Sequence, residues 1–223
     1  MIEVLKYTED PLGVMSIVAS SCWDSKPNKK IAIDCLEANH GRVFEYVDMI
    51  VVLTDYSARM IRELYTHTVG VTKLQSSTRY VNYENFKFYT PPSLKGNKKY
   101  KDAMSNLSSI YSSLLEDGYK KEDLGNLLPL GMTTKVVVKI NLRALLHMFE
   151  LRTCNRTYIE FRTFMKDLKK TISNLNTDWK YIMDNYAVTK CDKTNYCDER
   201  KSCGKHPPKV SSIIYKGQND IKC

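Results

Sequence analysis

No stretch of this chain approaches the ~18 consecutive apolar residues of a membrane-spanning helix, so a helical membrane protein is excluded at the outset. No leader segment is expected either. Met1 runs directly into the strand-like Ile2-Glu3-Val4-Leu5-Lys6-Tyr7, and a cytoplasmic location without a membrane partner is the expectation. There is no internal repeat. Acidic residues are outnumbered, 25 against 34 basic ones, for a net charge of +9 that favours anionic partners. The lysine pairs Lys29-Lys30, Lys98-Lys99, Lys120-Lys121 and Lys169-Lys170 are dispersed and read as solvated faces. No RNA-binding or helix-turn-helix signature accompanies them, so nucleic acid is not an expected partner, and a basic nucleic-acid-binding module without catalysis is the remoter alternative. Seven cysteines is an odd number, and Cys22, Cys35 and Cys154 fall in segments that read as packed structure, which suits reduced thiols better than a disulfide framework.

What is present is an ordinary globular composition over 223 residues, 43% hydrophobic and 26% charged, enough for one domain or one domain with an appendage. After the first strand, Asp10 caps a helix with Pro11 at its first position and an expected apolar stripe of Val14, Ile17 and Val18. A second helix is expected from Lys29 to Ala38. Tyr46 to Tyr56 is rich in β-branched residues and reads as a strand buried on both faces. Ser57 then caps a helix from Ala58 to His67. Residues 68–97 read as irregular, with a short strand at Phe86 to Tyr89 ended by Pro91-Pro92. Helices follow at 98–117 and Lys121 to Leu127, a strand at Thr133 to Ile140, and helices at Asn141 to Arg152 and Thr157 to Asn174. This order lacks strict βαβ alternation and argues for an α+β fold. From Ala187 the composition shifts to Lys, Asp, Asn, Cys and Pro, so the expected division is a domain over 1–186 and a Cys/Lys-rich tail over 187–223.

One segment carries an unusual density of polar groups beside a core helix: Gln75-Ser76-Ser77-Thr78-Arg79-Tyr80-Val81-Asn82-Tyr83. A buried segment must satisfy each donor it carries, so such a run points toward a ligand. Around it stand Glu63-Leu64-Tyr65-Thr66-His67-Thr68, Leu128-Pro129 with Thr134, Asn141-Leu142-Arg143-Ala144-Leu145, Leu151-Arg152 and Glu160-Phe161-Arg162, with His40 and Glu45 upstream. In this order, over roughly residues 1–175, these motifs resemble the flavin-dependent thymidylate synthases. Three of the four histidines, His40, His67 and His147, fall inside the motifs.

The resemblance implies a central, mostly antiparallel sheet flanked by helices, of the thymidylate synthase-complementing type. It also implies a homotetramer with active sites shared between subunits. The implied reaction makes dTMP from dUMP, with FAD as cofactor and NADPH and methylenetetrahydrofolate as co-substrates. Carbon transfer to C5 of uracil requires negative charge to be held on the ring, and a fixed guanidinium in a dry site holds it. By position that residue is Arg152, the expected catalytic group. Glu63, Thr66, Gln75, Ser76, Ser77, Thr78 and Arg79 are the implied substrate contacts, with Arg79 on the phosphate. Arg42, Thr66, His67, Thr68, Gln75, Asn141, Arg143 and His147 are the implied cofactor contacts. Arg143, His147 and Leu151 share a helix face, whereas Arg152 lies about 180° from Arg143 at ~100° per residue, so the helix is expected to serve two pockets.

The chain departs from the family at Thr66 and Thr68, which replace the two arginines of an Arg-His-Arg signature, and at Gly125, where another arginine is the rule. Lys73, Arg62 and Arg42 stand beside these gaps and are the expected replacements. The rival account is a different pyrimidine nucleotide or a different one-carbon unit. In the tail, Cys191, Cys197, Cys203 and His206 follow Cys-x5-Cys-x5-Cys-x2-His, a set of ligand types that suits tetrahedral zinc although the gaps are wide. A solvated tail with incidental cysteines is the alternative, and no metal is assigned to the site itself.

Overall fold

The structure is a computed structural model describing residues 1–209. Strand β1 (Ile2–Tyr7) leads into helices α1 (Pro11–Trp23), α2 (Lys29–Glu37) and α3 (Gly41–Phe44). Strand β2 (Asp48–Ser57), helix α4 (Ala58–Leu64) and strand β3 (Val71–Gln75) follow. Helices α5 (Lys98–Glu116) and α6 (Lys121–Leu124) precede strand β4 (Thr133–Asn141). The described chain then runs through α7 (Leu142–Arg152), α8 (Ile159–Ser173), α9 (Thr177–Tyr186) and the short α10 (Lys190–Thr194). The strands form one antiparallel sheet in the order β1-β2-β4-β3, as expected for an α+β fold with a mostly antiparallel sheet.

The centre of the sheet is the β2–β4 pair, which runs from Asp48↔Asn141 to Ser57↔Thr133 with a bulge at Asp55. Flanked on both edges, β2 buries Met49, Val51, Val52 and Leu53, which explains its nearly continuous apolar run. In β4 burial alternates, with Thr134, Val136, Val138 and Ile140 facing the main core. That core gathers residues of α1, α2, α4, α7, α8 and α9 against the sheet, with Trp179, Phe149, Phe161 and Phe164 among its largest members. A second, smaller cluster of Tyr83, Phe86, Met104, Tyr111, Leu124 and Met132 lies under the segment that joins β3 to β4.

Capping residues set the helix starts where the sequence places them. Asp10, Asn28, Ser57 and Asn141 accept from Gly13, Ile31, Met60 and Ala144 backbone N–H groups. Several expectations need correction. In α1 the buried stripe is Leu12, Met15, Ser16 and Ala19, while Ile17 and Trp23 stay more than half exposed. This helix is apolar nearly all round, so periodicity could not select the inward face. Cys22 is likewise exposed rather than packed. Helix α4 stops at Leu64, short of His67, and α8 starts at Ile159 rather than Thr157. Residues 71–75, taken as irregular, form the edge strand β3, so Lys73 lies on a strand and not in a loop. The expected strand at Phe86 to Tyr89 reduces to one bridge, Phe88↔Met132. Helices α3, α9 and α10 went unread.

The tail is not wholly a solvated extension. Ala187, Thr189 and Cys197 are buried, Lys193 pairs with Glu150 of α7 at 2.8 Å, and Arg156 pairs with Glu199 at 2.7 Å. Residues 210–223 of the expected tail lie outside the described residues. No helix among the described residues is long and apolar enough to cross a membrane.

Candidate active site

Arg152 closes α7, and its guanidinium is held on every edge. Nε donates to His67 Nε2 at 2.9 Å, Nη1 to Glu63 Oε2 at 3.4 Å, and Nη2 to Thr66 Oγ1 at 3.0 Å. The plane rests over the Phe161 ring at 5.1 Å. Three of the five N–H donors of an arginine are thereby used and two remain for a ligand. The side chain is only 22% exposed, so those two donors act where water screens them poorly.

Each partner is positioned in turn. Glu63 lies on α4, whose N-terminus is tied to α8: Ser57 N–H and Oγ–H donate to the two oxygens of the buried Glu160 carboxylate at 2.7 and 2.5 Å. Phe161, next in the chain, supplies the ring under Arg152, and Arg162 Nη1 donates to Asn155 O at 2.6 Å, bracing the α7–α8 connection. The three residues of this motif therefore hold the helix start, the guanidinium and the loop. Thr66 donates its hydroxyl to Glu63 O at 2.7 Å while accepting from Arg152. The residue that replaces a family arginine has become part of the cradle of another arginine.

Burial drives the pKa of His67 down to about 4, with the charges of Arg152, His147 and Lys73 adding to the effect. The imidazole is therefore neutral at pH 7, and its Nε2 lone pair accepts from Arg152. Lys73, from β3, donates to the His67 carbonyl and lies 5.3 Å from the Tyr65 ring. Burial lowers its pKa. Of the three cations expected near the signature, Lys73 is thus beside it, while Arg62 and Arg42 are exposed on α4 and α3.

Arg152 stands between two cavities. One, of about 260 Å³, is lined by Thr66, His67, Thr68, Ala144, His147 and Arg152. The other, about 650 Å³ and more open, takes Arg59, Glu63, Arg152, Arg156 and Tyr158. The helix thus borders two cavities, divided differently from the expectation: His147 lines only the smaller, whereas Arg152 lines both. At the last turn of the helix the long arginine side chain reaches back to His67, whose ring is 6.5 Å from that of His147. Arg59, Arg156 and Tyr158 were missed as cavity residues, and Phe161 as the buried ring beneath the guanidinium. Arg59 had a signal, since it lies four residues before Glu63 on one helix face. Its guanidinium sits 4.8 Å from the Tyr158 ring.

The other expected contacts lie elsewhere. Asn141 uses its carbonyl oxygen to cap α7 at Ala144 N, 2.9 Å away, and its amide packs on Gly70. Gly70 has φ +71°, and a Cβ there would come within 2.6 Å of that amide. Arg143 pairs with Glu45 at 2.5 Å, joining two residues of separate motifs. Gln75 ends β3, and Ser76 N–H donates to Lys135 O at 2.9 Å. Ser77 Oγ accepts from Arg79 N–H at 3.1 Å. Arg79 is 58% exposed and pairs with Glu122 at 3.2 Å. A Cβ on Gly125 would stand 3.3 Å from Thr78, so the position of the missing arginine does border this loop, in space too small for a longer side chain without movement. Neither cavity around Arg152 is lined by Ser77, Thr78 or Arg79.

Fold and site together define an α+β protein with a pre-aligned arginine set between two cavities, one of which carries three guanidiniums. Residues 3–175 match the family model described as thymidylate synthase complementing protein, and the chain belongs to that family. Among its relatives, the flavin-dependent thymidylate synthase of Nitratidesulfovibrio vulgaris is 26% identical over 94% of this chain and 96% of its own. That of Pyrococcus abyssi is 28% identical over 90% of each. The fold is similar to thymidylate synthase X of Helicobacter pylori, crystallised with FAD and dUMP, at a TM-score of 0.69 and 18% identity, covering 84% of this chain and 99% of that one.

Proposed function

We propose that this chain is a flavin-dependent thymidylate synthase that makes dTMP from dUMP, with methylenetetrahydrofolate as carbon donor, NADPH as reductant and FAD as cofactor. The observation that carries the reading is Arg152, oriented by Glu63, Thr66 and His67 over Phe161 with two N–H donors left free. A guanidinium fixed before the substrate arrives need not reorganise as negative charge builds on the pyrimidine ring. The larger cavity takes the nucleotide, where Arg59, together with Arg156 once a phosphate displaces its partner Glu199, stands beside Arg152 and helps offset the arginines absent at Thr66, Thr68 and Gly125. Glu63 contacts the nucleotide there.

The smaller cavity suits a flavin edge: His67 is neutral, His147 is exposed for stacking, and the Lys73 amine lies beside the threonines of the signature. His67, Thr66, Thr68, Asn141, Arg143 and His147 would hold FAD, with Arg42 and Gln75 at its margin, and FAD when bound supplies the hydride. The separation of Gln75, Ser76, Ser77, Thr78 and Arg79 from the Arg152 cavities supports a homotetramer in which that segment completes the site of a neighbouring subunit. Val69, Leu74 and Tyr80, each more than 70% exposed beside these segments, supply apolar surface for such a contact. The division into an enzyme domain over 1–186 and an appendage from 187, and a cytoplasmic location, belong to the same proposal.

The missing guanidiniums favour one second reading, the same chemistry on a different pyrimidine nucleotide or with a different one-carbon unit. One experiment addresses both. The purified protein should be yellow, its flavin absorbance should bleach with NADPH under anaerobic conditions, and dUMP should outcompete UMP and dCMP as acceptor, yielding dTMP. A colourless chain that takes up no added FAD refutes the enzyme reading, and methylation of UMP or dCMP in preference refutes dUMP alone.

A further inference from the structure

The segment from Val188 to Lys209 contains no Leu, Ile, Met, Phe or Trp, yet it folds back on itself and onto the α7–α8 connection. Its backbone closes through Cys197 N–H donating to Pro207 O at 2.7 Å and Lys209 N–H donating to Cys197 O at 2.8 Å. A segment this poor in apolar side chains cannot bury enough surface to offset its own ordering, and small folds of this kind are held by disulfides or metals. The cysteines here are free thiols. Four cysteines and one histidine, Cys154, Cys191, Cys197, Cys203 and His206, line one enclosed cavity of about 30 Å³.

From this cavity we infer a zinc site in the appendage, with Cys191, Cys197, Cys203 and His206 as its four ligands. Cys191 and His206 already offer ligand atoms within 4.8 Å of each other, close to the ~3.8 Å that adjacent ligands on a tetrahedral zinc subtend with Zn–S bonds of ~2.3 Å. Asp192 falls within the same radius but is occupied. Its Oδ1 lies 2.7 Å from His206 Nε2, and its Oδ2 accepts from Lys205 Nζ and Thr189 Oγ1, each at 2.6 Å. It is the carboxylate that orients the imidazole, which leaves Nδ1 for the metal. Cys197 and Cys203 line the same cavity outside that 4.8 Å group, and close in to complete a Cys3His shell as the metal binds and their thiols lose protons to solvent. Cys154, two residues beyond Arg152, forms the opposite wall, so the filled site packs against the loop that leaves the active-site helix.

The test is metal analysis of the full chain, expressed with zinc and purified without chelator. One zinc per chain is expected, along with tetrahedral thiolate bands on cobalt substitution, and neither readout needs a variant. Cys191→Ser, Cys203→Ser and His206→Ala should each lose the zinc while keeping the flavin spectrum, and Cys154→Ser should keep both. Under about a tenth of an equivalent of zinc in the unmodified chain overturns the site, as does a mass two hydrogens lower from a disulfide between these thiols. Loss of zinc in Cys154→Ser with retention in Cys203→Ser overturns this ligand set. None of these outcomes depends on which nucleotide the enzyme uses.

Discussion

Arg152 and Arg79 are the two guanidiniums proposed to recognise the nucleotide, and the chain holds them in opposite ways. Arg152 is 22% exposed and bonded to three side chains from the α4 end, with a buried ring beneath it. Arg79 is 58% exposed and held by one carboxylate, Glu122, which is itself 56% exposed. The first is set before any ligand arrives. The second is a group waiting for a surface, since exposed ion pairs contribute only ~0–1 kcal/mol and are readily exchanged. A guanidinium that must stabilise transient charge belongs in the first environment, and one that captures a phosphate works from the second.

The sharpest way to break this contrast is Arg152→Ala, which should lower kcat by about 10²–10³-fold with FAD content unchanged, read by steady-state kinetics and flavin absorbance. Arg152→Lys should recover little, because an ammonium cannot reach His67, Glu63 and Thr66 together. A variant keeping a third of the activity would remove the argument for a preset guanidinium.

The next effect is on stability. His67 titrates near 6.5 when unfolded and at about 4 when folded, so between those values the unfolded state binds more protons. The stability it contributes is present above about pH 6.5 and is lost as pH falls toward 4. Urea midpoints measured across this window should drop toward acid, and His67→Asn should flatten the slope.

Smaller again, Arg79→Ala should raise the nucleotide dissociation constant about tenfold or more, as loss of a charged hydrogen bond of ~1.5–3 kcal/mol requires, and leave the unfolding midpoint unmoved. Least of all, Glu122→Gln should change stability by under ~0.5 kcal/mol while freeing Arg79 to bind nucleotide slightly more tightly, a shift that isothermal titration would detect.

The parts of this molecule that local chemistry decides were legible in its sequence. Asp10 and Ser57 cap helices because their side chains reach N–H groups three residues on, and β2 and β4 are β-branched runs too short for helices. Strand β3 was hidden because Val71-Thr72-Lys73-Leu74-Gln75 is a short edge strand that buries only Val71 fully, and its identity depends on β4, far along the chain. The inward face of α1 was misread because Ile17 sits outside and Val14 and Val18 are only partly buried, while Met15, Ser16 and Ala19 lie inside. At the site, Arg152, Glu63 and His67 could be named singly, but their union could not be read. Thr66 registers in sequence as an arginine lost, and only packing reveals it as a hydrogen-bond acceptor for Arg152.

The bond between Ser57 and Glu160 links positions 103 residues apart, and this has a consequence for synthesis. A ribosome adding ~5–20 residues per second leaves roughly 5–20 s between the emergence of the α4 start and that of the carboxylate that anchors it. For most of that interval, until Thr133–Asn141 is made, β2 also waits for β4, its inner edge open, so the nascent chain passes through a stage with an unpaired apolar strand. Translation that stalls before β4 is complete would leave this strand exposed, and chaperone demand during synthesis should peak there.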